Sequence, residues 1–191
     1  WCWYVAPDDF VGNGINSSLS SRTVTVRIQA NYANGPSKQK LIPITITRPP
    51  VVFVHGFMSS PSLWDNYLNN SLFAKYDSYP LKINALASFD INARSLLSAS
   101  YPNYSIPAVI NQYRGEKKIA CNQVYYVGHS MGGNVLRYAQ TYRSNEFFNQ
   151  KNYNKGYINK NVSIATPHRG SPLANFSDMR LSQIAYISYW A

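Results

Sequence analysis

The chain has 191 residues, 45% of them hydrophobic and 15% aromatic, and carries a formal net charge of +10 although only 14% are charged. That length fits one domain, or a domain with a small extra piece, and the apolar share suits a packed core. No stretch approaches the ~20 consecutive apolar residues that cross a bilayer, and the basic residues lack the dense stripe or known module that nucleic acid requires, so neither a transmembrane segment nor a nucleic-acid partner is expected.

The cations are scattered: Lys38 and Lys40, Arg114 with Lys117 and Lys118, then Lys151, Lys155 and Lys160. They read first as a solvated basic surface and second as attraction to an anionic cell envelope. The opening Trp-Cys-Trp-Tyr has no initiator Met and no signal-peptide pattern, and reads as an internal or processed fragment. Cys2 and Cys121 lie far apart, and their separation alone does not decide whether they pair. Asn-x-Ser triplets at Asn16, Asn69, Asn103, Asn161 and Asn175 point to an exported protein, extracellular or at the cell surface.

In chain order, residues 1–16 read as loop, broken by Pro7, Gly12 and Gly14. Residues 23–30 alternate strictly, with Val24, Val26 and Ile28 on one face, as in a half-buried strand. Asn34-Gly35 is a hairpin signal, and residues 41–47 form the returning strand, with Pro43 at an edge or bulge. Residues 1–48 are thus a β-rich segment, either a hairpin extension or the remnant of a β-sandwich, with no visible chemistry. Arg48-Pro49-Pro50 is a stiff boundary.

Val51-Val52-Phe53-Val54 is a continuous apolar run, the pattern of a parallel strand covered on both faces, and it ends in His55-Gly56-Phe57. A helix is expected over residues 63–74, a strand over 82–87, a short helix over 91–97 and a helix over 106–114. Val124-Tyr125-Tyr126-Val127 reads as a buried strand. Gly128-His129-Ser130-Met131-Gly132 follows at once, and Val135, Leu136 and Ala139 then recur at helical spacing. The segment reads strand, tight turn, helix, with Ser130 at the corner. Such a corner needs flanking positions nearly free of side chain, or they collide with strand and helix. The helix behind it aims N–H groups and the positive end of its dipole at the serine. Residues 142–155 read as a polar loop, 162–165 as a strand, and 181–190 as an apolar, aromatic segment. The βα order from residue 50 predicts an α/β fold with a doubly wound, mainly parallel sheet over residues 49–191.

In acyl transfer of this type, one oxyanion donor is the N–H after the nucleophile and the other comes from the loop after the earlier strand. Those positions are Met131 and Phe57. His55 and His129 read as structural histidines. Neither a cofactor nor a metal is called for.

Three landmarks, Pro-Val-Val-Phe-Val-His-Gly-Phe at 50–57, Gly-His-Ser-Met-Gly-Gly at 128–133 and Ala-Thr-Pro-His-Arg-Gly-Ser at 165–171, resemble in residue and order the lipase and esterase branch of the α/β-hydrolases. The resemblance covers residues 49–177 and implies a carboxylic ester hydrolase. Ser130 would be the nucleophile, Phe57 and Met131 the oxyanion donors, and the substrate an ester or lipid-like molecule. It also implies that the segment after Ser171 begins a lid. The family orders its triad serine, acid, histidine. After Ser130 the acids are Glu146 and Asp178 and the one histidine is His168. Some 14 helical residues at ~1.5 Å each set Glu146 ~20 Å from the serine, so the sheet reads as incomplete, with acid and base beyond residue 191. The alternative is a non-catalytic extracellular binding or structural component that keeps the hydrolase half-fold. Amide hydrolysis or acyl transfer would use the same corner.

Overall fold

The computed structural model describes Phe10 and residues 18–71, 73–99 and 105–171. Strands β1 (Ser21–Ala30) and β2 (Lys38–Thr47) pair antiparallel as a two-stranded hairpin. Strands β3 (Val51–Val54), β4 (Ser78–Leu81), β5 (Val124–His129) and β6 (Ile158–Ile164) form a separate parallel sheet in the order β4-β3-β5-β6. The helices are α1 (Asp65–Leu68), α2 (Phe89–Leu97), α3 (Ile106–Gly115), α4 (Met131–Tyr142) and α5 (Ser144–Phe147). This is the α/β architecture expected from the sequence, with an antiparallel β-hairpin ahead of it.

The apolar run of β3 explains why the sheet is covered twice. Val52 and Val54 pack with Leu96 of α2, Val109 and Ile110 of α3 and Val135 and Leu136 of α4, while Val51 and Phe53 pack with Trp64 and Tyr125. All four β3 residues are buried, and a fully buried side chain of this size contributes ~1.5–3 kcal/mol. On the second face the Phe53 ring lies 5.1 Å from Trp64 and 5.8 Å from Phe73.

Two helix starts carry ordinary caps. Ser88 Oγ accepts the Ile91 N–H at 3.4 Å ahead of α2, and Ser105 Oγ accepts the Ala108 N–H at 3.2 Å ahead of α3, whose first turn contains Pro107. The hairpin is tied to the sheet through Arg48. Its N–H donates to Ser20 O at 2.9 Å, its Nε donates to Leu19 O at 2.8 Å, and its guanidinium lies 4.7 Å from the Phe10 ring centre and 5.3 Å from that of Tyr76.

Several elements depart from expectation. The strand expected at 82–87 is instead β4, a few residues earlier. The buried Asn92 side chain bonds Asn84, accepting its N–H and donating to its carbonyl, both at 2.9 Å. That bonding bends residues 84–87 into a turn and withdraws them from the ladder. Pro80 is tolerated in β4 because the strand lies at the sheet edge among the described residues. The helix expected over 63–74 shrinks to a 3-10 turn at Pro61–Trp64 followed by α1. Beyond it, Asn69-Asn70-Ser71 favour turns over helix, and Phe73 N–H bonds Asn70 O at 3.0 Å. The polar loop of 142–155 contains α5 and a 3-10 turn, Gln150–Asn152, capped by Asn149 and Asn152. β6 begins at Ile158, ahead of the expected 162. The loop expected at 1–16, apart from Phe10, the segment 181–190, and Cys2 lie outside the described residues. Cys121 is a buried free thiol whose Sγ donates to Gln123 O, and burial pushes its pKa up to about 11.

Candidate active site

β5 delivers the chain to Ser130, and α4 begins at the next residue. Ser130 has φ 51 and ψ −120, outside the ordinary regions for an L-residue. Its N–H donates to Ile164 O of β6 at 2.8 Å, and its carbonyl accepts the Gly133 N–H at 3.2 Å. Gly132 is required by contact: a Cβ there would lie 2.5 Å from Val54 O and 2.8 Å from His55 O, both main-chain atoms. The first turn of α4 is therefore pressed onto the end of β3. A buried strut holds it there, with Tyr126 OH donating to Gly132 O at 2.7 Å.

The loop after β3 meets the same corner. A Cβ on Gly56 would lie 2.8 Å from Ser130 Cβ, so only glycine lets this main chain reach the serine. His55, 1% exposed, holds the loop. Ile83 N–H donates to its Nε2 at 3.3 Å, which leaves the proton on Nδ1, 3.0 Å from Gly56 O. Burial holds its pKa below the ordinary 6.5, keeping the ring neutral. The next turn contains Met58 at φ 51, and the turn after β6 contains Ala165 at φ 48. Non-glycine residues with left-handed φ thus gather where β3, β5 and β6 end, as strained backbone does at functional sites.

A groove of about 1030 Å³ opens over this edge, with Phe57, Ser130, Met131, Tyr138, Pro167 and His168 among its lining. One wall is aromatic: Phe89 lies 6.3 Å from Tyr138, and Tyr138 lies 4.8 Å from Tyr142. A further part of the lining, the turn at 166–170, is strapped to α4. Asn134 Nδ2 donates to Pro167 O at 3.3 Å and Arg137 Nη1 to His168 O at 2.9 Å. Asn134 and Arg137 follow Ser130 at the i+4 and i+7 spacing of one helix face, a signal readable from sequence. Tyr126, the strut under Gly132, has no such signature beyond its place in an apolar strand.

Of the residues expected to act, Ser130, Phe57 and Met131 line this one groove. His129 is not among the lining residues; its ring packs edge-on to Trp64 at 6.4 Å. Glu146 lies beyond the far end of α4, bonded to Arg143 at 3.0 Å, so Ser130, Glu146 and His168 do not assemble as a triad. Asp178 and the lid expected after Ser171 lie outside the described residues. Among the described residues no group of three His, Cys, Asp or Glu could hold a metal ion, and no helix is long and apolar enough to cross a membrane.

A model of the PGAP1-like alpha/beta domain family matches residues 45–186. The chain belongs to that family. This PGAP1-like domain carries the parallel sheet and the serine corner that the sequence predicts. Two curated relatives are named GPI inositol-deacylase. The one from Schizosaccharomyces pombe is 34% identical over 85 residues, 39% of this chain and 7% of that protein. The one from Phaeosphaeria nodorum is 40% identical over 67 residues, 35% of this chain and 6% of that protein. The matched part is therefore a small fraction of these relatives' length. Among solved structures, a Bacillus licheniformis lipase in its propeptide form matches at 24% identity and TM-score 0.49, covering 71% of this chain and 26% of that one. Its mature form matches at 22% and 0.49, covering 81% and 52%.

Proposed function

We propose that the PGAP1-like domain hydrolyses carboxylic esters of lipid-like substrates through an acyl-enzyme on Ser130. The single observation that carries this reading is Ser130 itself, held at φ 51 and ψ −120 between β5 and α4 on the wall of the groove. Its Oγ attacks the acyl carbonyl carbon as a general base takes its proton. The N–H groups of Phe57 and Met131 receive the resulting oxyanion. The alcohol leaves with the proton returned from the base, and water then cleaves the acyl-enzyme by the same steps. The aromatic wall of Phe89, Tyr138 and Tyr142 suits an acyl chain. Acyl-ester cleavage also fits the name of the curated relatives, GPI inositol-deacylase.

The orienting acid comes from outside the described residues, because no carboxylate lines the described groove and Glu146 is engaged elsewhere, and the base is assigned with it. Export to the cell surface is part of the same reading. The acceptor residues Asn69 and Asn161 are exposed, and a glycosidase-sensitive mass shift on the secreted protein would support it. The test of function is hydrolysis of a short-chain chromogenic ester by the full protein. Ser130→Ala is expected to lower kcat on the order of 10⁶-fold, the scale seen when a serine nucleophile is removed. Retained activity would end the proposal.

A further inference from the structure

The distal part of the hairpin has a composition that the groove does not use. Every residue from 27 to 41 is exposed, whereas nearer the sheet Val24, Val26, Ile42 and Ile44 are half-buried and Ile46 is buried. At ~3.4 Å per residue the strands run ~13 Å past Val26 before the turn. The tip is ordered by its own side chains, since Gln29 Nε2 and Ser37 Oγ both donate to Asn31 Oδ1 at 2.9 Å.

Three cations lie on this part, Arg27, Lys38 and Lys40, and none has an ion-pair partner among the described residues. From Phe10 to Trp64 the sequence contains no Asp or Glu. Interleaved with the cations are large exposed apolar groups: Ile28 is 54%, Tyr32 55% and Leu41 55% exposed. The register sets them side by side, Arg27 opposite Leu41 and Lys40 opposite Ile28. Alternation along the strands puts these two pairs on opposite faces of the ribbon.

We propose that this hairpin docks the domain on an anionic lipid surface. A flat acidic protein surface would cover one face of the ribbon and leave either Ile28 or Leu41 in water, whereas a lipid interface surrounds both. Nucleic acid would take up the cations, yet it calls for stacking aromatics, of which the tip has one, Tyr32. In the interface, Ile28, Tyr32 and Leu41 enter the boundary between headgroups and acyl chains. The lysine and arginine stems lie along them with their charges at the phosphates. The outer strand edges, which no other strand among the described residues covers, keep the ribbon at headgroup depth, because main-chain groups without partners are not tolerated in hydrocarbon. This docking does not rest on the chemistry of Ser130, and it is measured without turnover.

The experiment is co-sedimentation of the full protein with vesicles of phosphatidylcholine alone or with about a third phosphatidylserine. Tighter partition onto the anionic vesicles is expected, weakening as salt is raised. A basic residue near such a surface is worth about five-fold in partition, so Arg27→Gln, Lys38→Gln and Lys40→Gln together should lose about a hundred-fold. Ile28→Ser with Leu41→Ser keeps every charge and should also lose binding, which a purely electrostatic contact would not. Unchanged melting temperatures in both variants establish that the fold persists. Equal binding to neutral vesicles overturns the proposal, as does binding untouched by either variant, or a loss in the charge variant alone with an oligonucleotide or an acidic polypeptide bound instead.

Discussion

Gly132→Ala tests whether the serine corner depends on contact between α4 and the end of β3. The added methyl would stand 2.5 Å from Val54 O, 0.9 Å short of the 3.4 Å at which ordinary contact begins, and both of its nearest neighbours are main-chain oxygens that cannot rotate away. Overpacking of this kind costs ~1–3 kcal/mol, offset by up to ~1 kcal/mol from the better helix propensity of alanine. The net loss is ~1–2 kcal/mol, which for a domain of this size lowers Tm by ~2–8 °C. The matched control is Gly115→Ala at the end of α3, where a Cβ meets nothing within 4 Å. It should be neutral or stabilising by ~0.4–1 kcal/mol through the unfolded chain. Relief of the Gly132→Ala clash shifts α4, and with it Ser130 and the Met131 N–H. A displacement approaching 1 Å is enough to cost ~10²-fold in kcat. Differential scanning calorimetry and ester hydrolysis on the three proteins give both numbers. If Gly132→Ala melts with the wild type and hydrolyses esters as fast, the close approach of α4 to β3 is not what positions the serine.

Tyr126→Phe removes the buried hydroxyl beneath the corner and leaves Gly132 O without that donor; it should cost ~1–3 kcal/mol and lower kcat more than it alters KM, read by denaturant melts and kinetics. His55 is neutral in the fold, with burial the leading cause and its pKa below 6.5. A depressed folded pKa means that stability is full above about pH 6.5 and is lost as pH falls towards the folded value, so urea melts should weaken below pH 6.5 and this slope should flatten in His55→Gln. His168 lines the groove, but with the base assigned outside the described residues His168→Ala should keep most of the ester hydrolysis, read as kcat on a chromogenic ester; abolished hydrolysis with an unchanged melting temperature would make His168 the base.

Much of this fold could be read from local pattern. β3 and β5 are short apolar runs because both of their faces are covered, and α2, α3 and α4 keep helical periodicity against that sheet. Ser130 at the corner was legible because two glycines, a strand and a helix must coincide there. β4 was hidden because Ser-Tyr-Pro-Leu at a sheet edge needs neither alternation nor β-branched residues. The more strand-like stretch after it was claimed by Asn92, a tertiary contact that no window reveals. The left-handed backbone at Met58 and Ala165 was equally hidden, since neither residue type favours it. The straps from Asn134 and Arg137 were half legible: their spacing put them beside Ser130, but their acceptors, Pro167 and His168, lie across the sheet edge.

The most direct measurement is site mapping of a fluorophosphonate probe on the full protein by mass spectrometry, alongside its esterase rate. In this reaction the serine Oγ displaces fluoride from phosphorus, so it reports an activated nucleophile and not merely an exposed one. A single adduct on Ser130, lost in Ser130→Ala together with ester hydrolysis, is the expected result. An adduct at another residue, or undiminished hydrolysis by Ser130→Ala, would contradict it.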